Sequence, residues 1–207
     1  MLQLKAIHKD TFSFLQKLSK LVYLNDFALA GGTSLALQLG HRISIDLDFF
    51  TLEIFDSLEL LERLNKDLKI SNATTAKNTL SLYIQFNGKN IKTEFLRHDY
   101  KLLKDHTEIG DIRLYSVEDI AAMKLNAIAN RGSKKDFYDV FELLKSFSIV
   151  ELIDFFKEKY STLNAFTVIK SLYYFEDAEL EPDPMSLNKV SWTKVKEKIK
   201  IEVNRNF

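Results

Sequence analysis

The apolar run Phe27-Ala-Leu-Ala30 ends in Gly31-Gly32, in a chain of 207 residues that holds only six glycines. That is about 3% where an average domain has roughly 7%. Three of the six, Gly31, Gly32 and Gly40, lie within ten residues of one another. A chain so sparing with glycine clusters it where the backbone needs a turn that a Cβ atom would obstruct. The spacing predicts a short buried strand, a tight turn, and a helix opened by Thr33 or Ser34 as N-cap and stopped at Gly40. Uncrowded N–H groups at a helix start can cradle an anion. Taken alone, a Gly-Gly turn is more often only a turn.

Residues 43–50 (ISIDLDFF) alternate as a strand does, with Ile43, Ile45, Leu47 and Phe49 on one face and Ser44, Asp46 and Asp48 on the other. Two carboxylates roughly 7 Å apart on one face are costly unless a positive charge sits between them, and a hard cation such as Mg²⁺ is the usual partner. An isolated Asp-x-Asp also reads as a solvated strand face. Here Leu47, Phe49 and Phe50 make the strand core-facing. Glu94 interrupts a second strand-like run, 90–96. It completes a three-carboxylate set if that strand neighbours 43–50, and is an exposed edge residue otherwise.

Periodicity predicts helices over 9–21 and 56–68, and strands over 80–86 and 90–96 joined at Asn87-Gly88 by a loop slightly longer than two residues. Beyond about residue 115 the pattern is helical. Capping-box-like starts, Ser116 to Asp119 and Ser133 to Asp136, open helices over 117–130 and 134–147, and further helices fit 150–159, 162–175 and 191–203. Asp119 and Asp136 are therefore also candidates for merely closing their own helices. Five of the eight residues 176–183 are acidic, and the only two prolines, Pro182 and Pro184, sit in or directly after this stretch, which reads as a linker. Lys189 to Arg205 carries six basic and two acidic residues. Arg131, Lys134 and Lys135 gather at the Gly132 turn, where helix ends favour anions. His8, His98 and His106 lack metal-ligand spacing and read as incidental.

The balance of 29 basic and 29 acidic residues argues against a polybasic nucleic-acid coat. The absence of cysteine excludes disulfides, thiolate metal sites and a thiol nucleophile. No apolar run is long enough to span a bilayer and no signal-peptide pattern opens the chain, so a cytoplasmic protein without a membrane partner is expected.

The joint pattern is more specific than its parts. A hydrophobic residue, Gly-Gly, thirteen residues, Asp-Leu-Asp-Phe and a later strand acid resemble the DNA polymerase β-like nucleotidyltransferase superfamily. The stretches AGGTSLALQLGHRISIDLDFF and EDIAAMKLNAIANRGSKKDFYDVFELL resemble, within it, the nucleotidyl transferase AbiEii/AbiGii toxin family. The resemblance covers roughly residues 20–147. It implies an α+β fold, a small mixed nucleotidyltransferase sheet flanked by helices (1–115) followed by a helical region that completes the nucleotide pocket (116–207). It implies Asp46, Asp48 and Glu94 as ligands of two Mg²⁺ ions, with Glu94 where Asp is expected. It further implies Gly31, Gly32, Thr33 and Ser34 on the triphosphate, and Lys124, Arg131, Lys135, Asp136 and Asp139 around the nucleotide, Lys124 also acting in catalysis. His41 and Arg42 are left without a role. The implied activity is transfer of NMP from an NTP to a tRNA 3′ end or a protein hydroxyl by a toxin with a cognate antitoxin. A small-molecule, antibiotic-type nucleotidyltransferase and a non-catalytic nucleotide- or partner-binding domain are the alternatives.

Overall fold

Apolar residues at helical spacing fold as α1 (Lys9–Leu18), which buries Phe14, Leu15 and Leu18; a short 3₁₀ turn follows at Val22–Leu24. The computed structural model describes all 207 residues. The apolar run before the glycine pair is β1 (Ala28–Leu29), fully buried. Helix α2 (Gly31–Leu39) begins three or four residues earlier than the cap chemistry suggested, with Ala30 as N-cap and no side-chain cap. Thr33 is unavailable as a cap because its hydroxyl donates to the Asp46 carbonyl and pairs with the Ser44 hydroxyl, 2.8 Å away. Gly40 stops the helix in the left-handed conformation, as expected.

Strand β2 (Leu47–Thr51) is shorter than the alternating run. Leu47 and Phe49 are buried, whereas Ile45 is exposed, because residues 43–46 leave the sheet. Asp56 caps α3 (Ser57–Asp67) by accepting from the Leu58 and Glu59 N–H groups. Then come β3 (Lys69–Ala76), β4 (Thr79–Phe86) and β5 (Lys89–Arg97). Phe86 pairs with Lys89, and Asn87 and Gly88 both have positive φ (49° and 76°). The turn is therefore a two-residue hairpin of the type that matches strand twist, not a longer loop. A second small hairpin, β6 (Thr107–Ile109) and β7 (Ile112–Leu114), turns at Gly110. Polar, mostly exposed β3 and the short β6 and β7 lack the apolar alternation that would have marked them.

The seven strands form one mixed sheet in the order β3-β4-β5-β2-β1-β7-β6. β2 runs parallel to β5 and β1 parallel to β7, and the remaining neighbours are antiparallel. Helices follow: α4 (Val117–Arg131), α5 (Lys134–Leu143), α6 (Ile149–Lys159), α7 (Ala165–Ser171), α8 (Glu176–Glu179) and α9 (Trp192–Asn206). Helices α1 and α3 pack on one core; α4 to α9 form a second with Ala28, Ala30, Leu35 and Tyr115. The expected helix over 162–175 is divided between α7 and a turn. The acidic stretch read as a linker is packed in place: Glu181 accepts from Ser133 Oγ (2.7 Å) and the Lys134 N–H (2.9 Å), closing the start of α5. No helix is long and apolar enough to cross a membrane.

Candidate active site

Parallel pairing of β2 and β5 sets Asp48 beside Glu94 in register. Alternation then places Asp48 and Phe50 on one face of β2, and Lys92, Glu94 and Leu96 on the same face of β5. Asp46 sits one residue before β2. At the end of β1 the chain turns into α2, and Gly31, with φ +63°, lies so close that a Cβ there would come within 2.6 Å of Asp48 Oδ2. The N–H groups of Gly31, Gly32 and Thr33 have no backbone acceptor, as expected of a helix's first turn. These elements, with one face of α4, enclose a cleft of about 570 Å³ lined by Gly31, Gly32, Asp46, Asp48, Glu94, Lys124, Arg131 and Lys135 among others.

Burial, and then the charges of Glu94 and Asp46, push the Asp48 carboxyl up to about 6, against the opposing pull of Lys124 and Lys92. Glu94 Oε1 meets Lys92 Nζ at 3.1 Å and accepts from Ser81 Oγ at 3.0 Å. The three acids thus face one cleft, but no three acid or histidine side chains close together tightly enough to hold a metal ion. Lys124 and Lys92 offset only part of the repulsion at Asp48, and a divalent cation would relieve the rest, so the carboxylates fit one in donor type.

Beneath the cleft lies a buried ionic cluster. Arg42 donates from Nε to Asp139 Oδ1 (2.6 Å) and from Nη2 to Oδ2 (2.9 Å), while His41 Nε2 lies 2.7 Å from Oδ1. Lys124 Nζ bridges Asp136 (2.8 Å) and Asp139 (2.6 Å), and Arg131 forks onto Asp136. Burial raises the Asp139 carboxyl, but Arg42 and Lys124 outweigh it and hold it well below the ordinary carboxylate range. Asp136 is likewise lowered by Lys124 and Arg131 against burial.

This corrects several sequence expectations. Asp136 and Asp139 are fully buried and hold the cations of the cleft floor instead of lining the nucleotide pocket. Thr33 and Ser34 are also buried off the cleft, since their hydroxyls face the 44–46 segment and Gln38. Neither Asp119 nor Asp136 merely closes its helix: Asp119 binds Lys159 (2.7 Å) and the Leu103 and Lys104 N–H groups. Gly31, Gly32, Asp46, Asp48, Glu94, Lys124, Arg131 and Lys135 do meet at the cleft.

The family model described as nucleotidyl transferase AbiEii toxin, type IV toxin–antitoxin system, matches residues 13–205. The chain belongs to that family. An uncharacterized protein of Aquifex aeolicus is 37% identical over 184 residues, 86% of this chain and 87% of the relative. Two solved structures share the fold. JHP933 from Helicobacter pylori has a TM-score of 0.63 at 17% identity, covering 96% of this chain and 92% of the other. MenT4, a nucleotidyltransferase toxin from Mycobacterium tuberculosis, has a TM-score of 0.58 at 16% identity, covering 97% and 85%. The protein is accordingly a nucleotidyltransferase.

Sequence reading overlooked several residues that line the cleft of this AbiEii-family transferase: Lys92, Phe50, Leu96, His98, Tyr160, Pro184 and Met185. A signal existed for four. Phe50 is two residues from Asp48, and Lys92, Leu96 and His98 lie at even offsets from Glu94, so all share the acids' face. His98 is thus not incidental. Tyr160, Pro184 and Met185 arrive by tertiary packing, with no local mark.

Proposed function

We propose that this protein moves NMP from an NTP to a hydroxyl of RNA, at a tRNA 3′ end, or of a protein, in a Mg²⁺-dependent reaction, as a toxin restrained by a cognate antitoxin. The observation that carries this reading is the convergence of Asp46, Asp48 and Glu94 on one cleft beside the free N–H groups at the start of α2. Asp46, Asp48 and Glu94 would hold the divalent ions, which when bound stabilise charge on the reacting phosphate oxygens.

The chain's own groups orient the rest. The Gly31 and Gly32 N–H groups and the positive end of α2 face the phosphate chain. Arg131 and Lys135, at the cleft rim, neutralise the terminal phosphates. Arg42 and Lys124 add positive charge below. The cluster places three cations, Arg42, Lys124 and Arg131, against the carboxylates of Asp136 and Asp139, which leaves a net charge suited to an anion. Glu94 takes the proton of the attacking hydroxyl as its oxygen bonds to the α-phosphorus and the bond to pyrophosphate breaks.

Incubation with each α-labelled NTP, Mg²⁺, total RNA and lysate protein tests this directly. Label should pass to one acceptor class, and Asp46→Ala and Asp48→Ala should reduce it to background while keeping the wild-type circular dichroism. Undiminished transfer by either variant would refute the assignment.

A further inference from the structure

Among the cations of the cleft, Lys92 stands apart because it is tied to one of the three acids. It lies on β5 two residues before Glu94, so both point to the face that Asp48 shares. Its Nζ is 3.1 Å from Glu94 Oε1. Ser81, opposite Glu94 on β4 and so on the side away from Asp48, donates to the same oxygen at 3.0 Å. Glu94 is thus held by donors of its own, and the three acids do not draw together into a tight set. Burial disfavours the Lys92 charge, but the bond to Glu94 and the charges of Glu94, Asp46 and Asp48 outweigh it. Lys124 offers the contrast. It is 5% exposed and bridges two buried carboxylates, Asp136 and Asp139, so it cannot leave without stranding charge. Lys92 and Glu94 are 34% and 29% exposed, and the ammonium can swing into water on its flexible stem.

We propose that Lys92 is a displaceable counter-ion: it neutralises Glu94 until a divalent cation displaces it, and so sets the cation concentration at which the site fills. The inference rests on the nucleotidyl-transfer reading above, which assigns that cation to Asp46, Asp48 and Glu94. A divalent cation offers the carboxylate twice the charge of an ammonium and prefers oxygen ligands. The ion pair it must break to gain Glu94 costs little to break, because it is partly exposed. An ammonium left in place would also repel the ion at close range. Lys92 therefore stabilises the three carboxylates before the ion binds, and opposes its binding through the same contact. Ser81, being neutral, holds Glu94 without adding to that opposition.

Mn²⁺ binding, followed by the electron paramagnetic resonance of the free ion, tests this on the wild-type chain and on Lys92→Met, Lys92→Arg and Asp48→Ala. Lys92→Met should bind Mn²⁺ about tenfold more tightly than wild type, because a repelling unit charge has gone. Lys92→Arg keeps the charge and should stay within about threefold of wild type. In differential scanning calorimetry, Lys92→Met should also melt below wild type without Mn²⁺ and gain more from saturating Mn²⁺. If Lys92→Met melts lower but binds Mn²⁺ no more tightly than wild type, Lys92 is a merely structural ion-pair partner and the proposal is overturned. Equal tightening by Lys92→Arg overturns it too, since the charge is then not the cause. Equal Mn²⁺ affinity in wild type and Asp48→Ala puts the ion away from the carboxylates. That result removes the metal assignment of the parent reading, and the role of Lys92 with it.

Discussion

Asp48 and Asp139 lie in one site yet shift in opposite directions, and their surroundings explain why. Burial, and then the charges of Glu94 beside it in the sheet and of Asp46, push Asp48 up; Asp139 is as deeply buried, but Arg42, Lys124 and His41 hold it down. The first is poised to gain a cation, whereas the second already has its partners. Replacing one member of such a buried set leaves the others uncompensated, which costs far more than the set contributes. His98 shows the pH consequence of burial more simply. Burial, followed by the positive charge of Lys159 and opposed by Asp119, lowers its imidazole to about 4. The unfolded chain therefore takes up a proton near pH 6.5 that the folded chain refuses. His98 contributes stability that is fully present above about pH 6.5 and is lost as pH falls toward 4, at most about 3 kcal/mol. Urea unfolding of wild type and His98→Gln at pH 7 and pH 4.5 checks this. The variant should lose less stability on acidification, and an equal loss would show that His98 does not titrate as described.

At the scale of elements, strand alternation accounts for most of the cleft. Offsets of two from Asp48 and Glu94 bring Phe50, Lys92 and Leu96 to the reacting face. What alternation could not supply was the order of strands, because the parallel partner of β2 is β5, more than forty residues along. The turns are more local. Asn87-Gly88 carries two positive φ angles in succession, which only a few residue types accept. Nothing lies within 4 Å of the space a Gly88 Cβ would fill, so the cost of Gly88→Ala is purely conformational. It should destabilise the fold by about 1 kcal/mol without altering nucleotide transfer, as a shift in urea midpoint with unchanged slope. Gly31 differs, since a side chain there is strained in φ and also strikes the Asp48 carboxylate.

In the whole molecule, the sheet and the helical half share a core. Ala28, Ala30, Leu35 and Tyr115 are buried against α4 to α9. The 184–187 segment lies across residues 41–43, with the Ile43 N–H donating to the Met185 carbonyl (2.9 Å) and the Leu187 N–H to that of His41 (2.8 Å). A fragment of residues 1–115 should therefore expose apolar surface and lack a cooperative thermal transition. A sharp transition in differential scanning calorimetry would instead show that the sheet half folds alone. The sequence by itself determined the glycine turn, the acid pair, the hairpin at Asn87-Gly88 and most helices, because each depends on residues within a few positions of one another. Only the tertiary structure decided that Asp136 and Asp139 lie beneath the cleft, that His98 and Tyr160 line its far end, and that an apparent linker closes α5. Those outcomes depend on which charges and rings meet across roughly forty to a hundred residues, and burial rewards such meetings without leaving a local pattern.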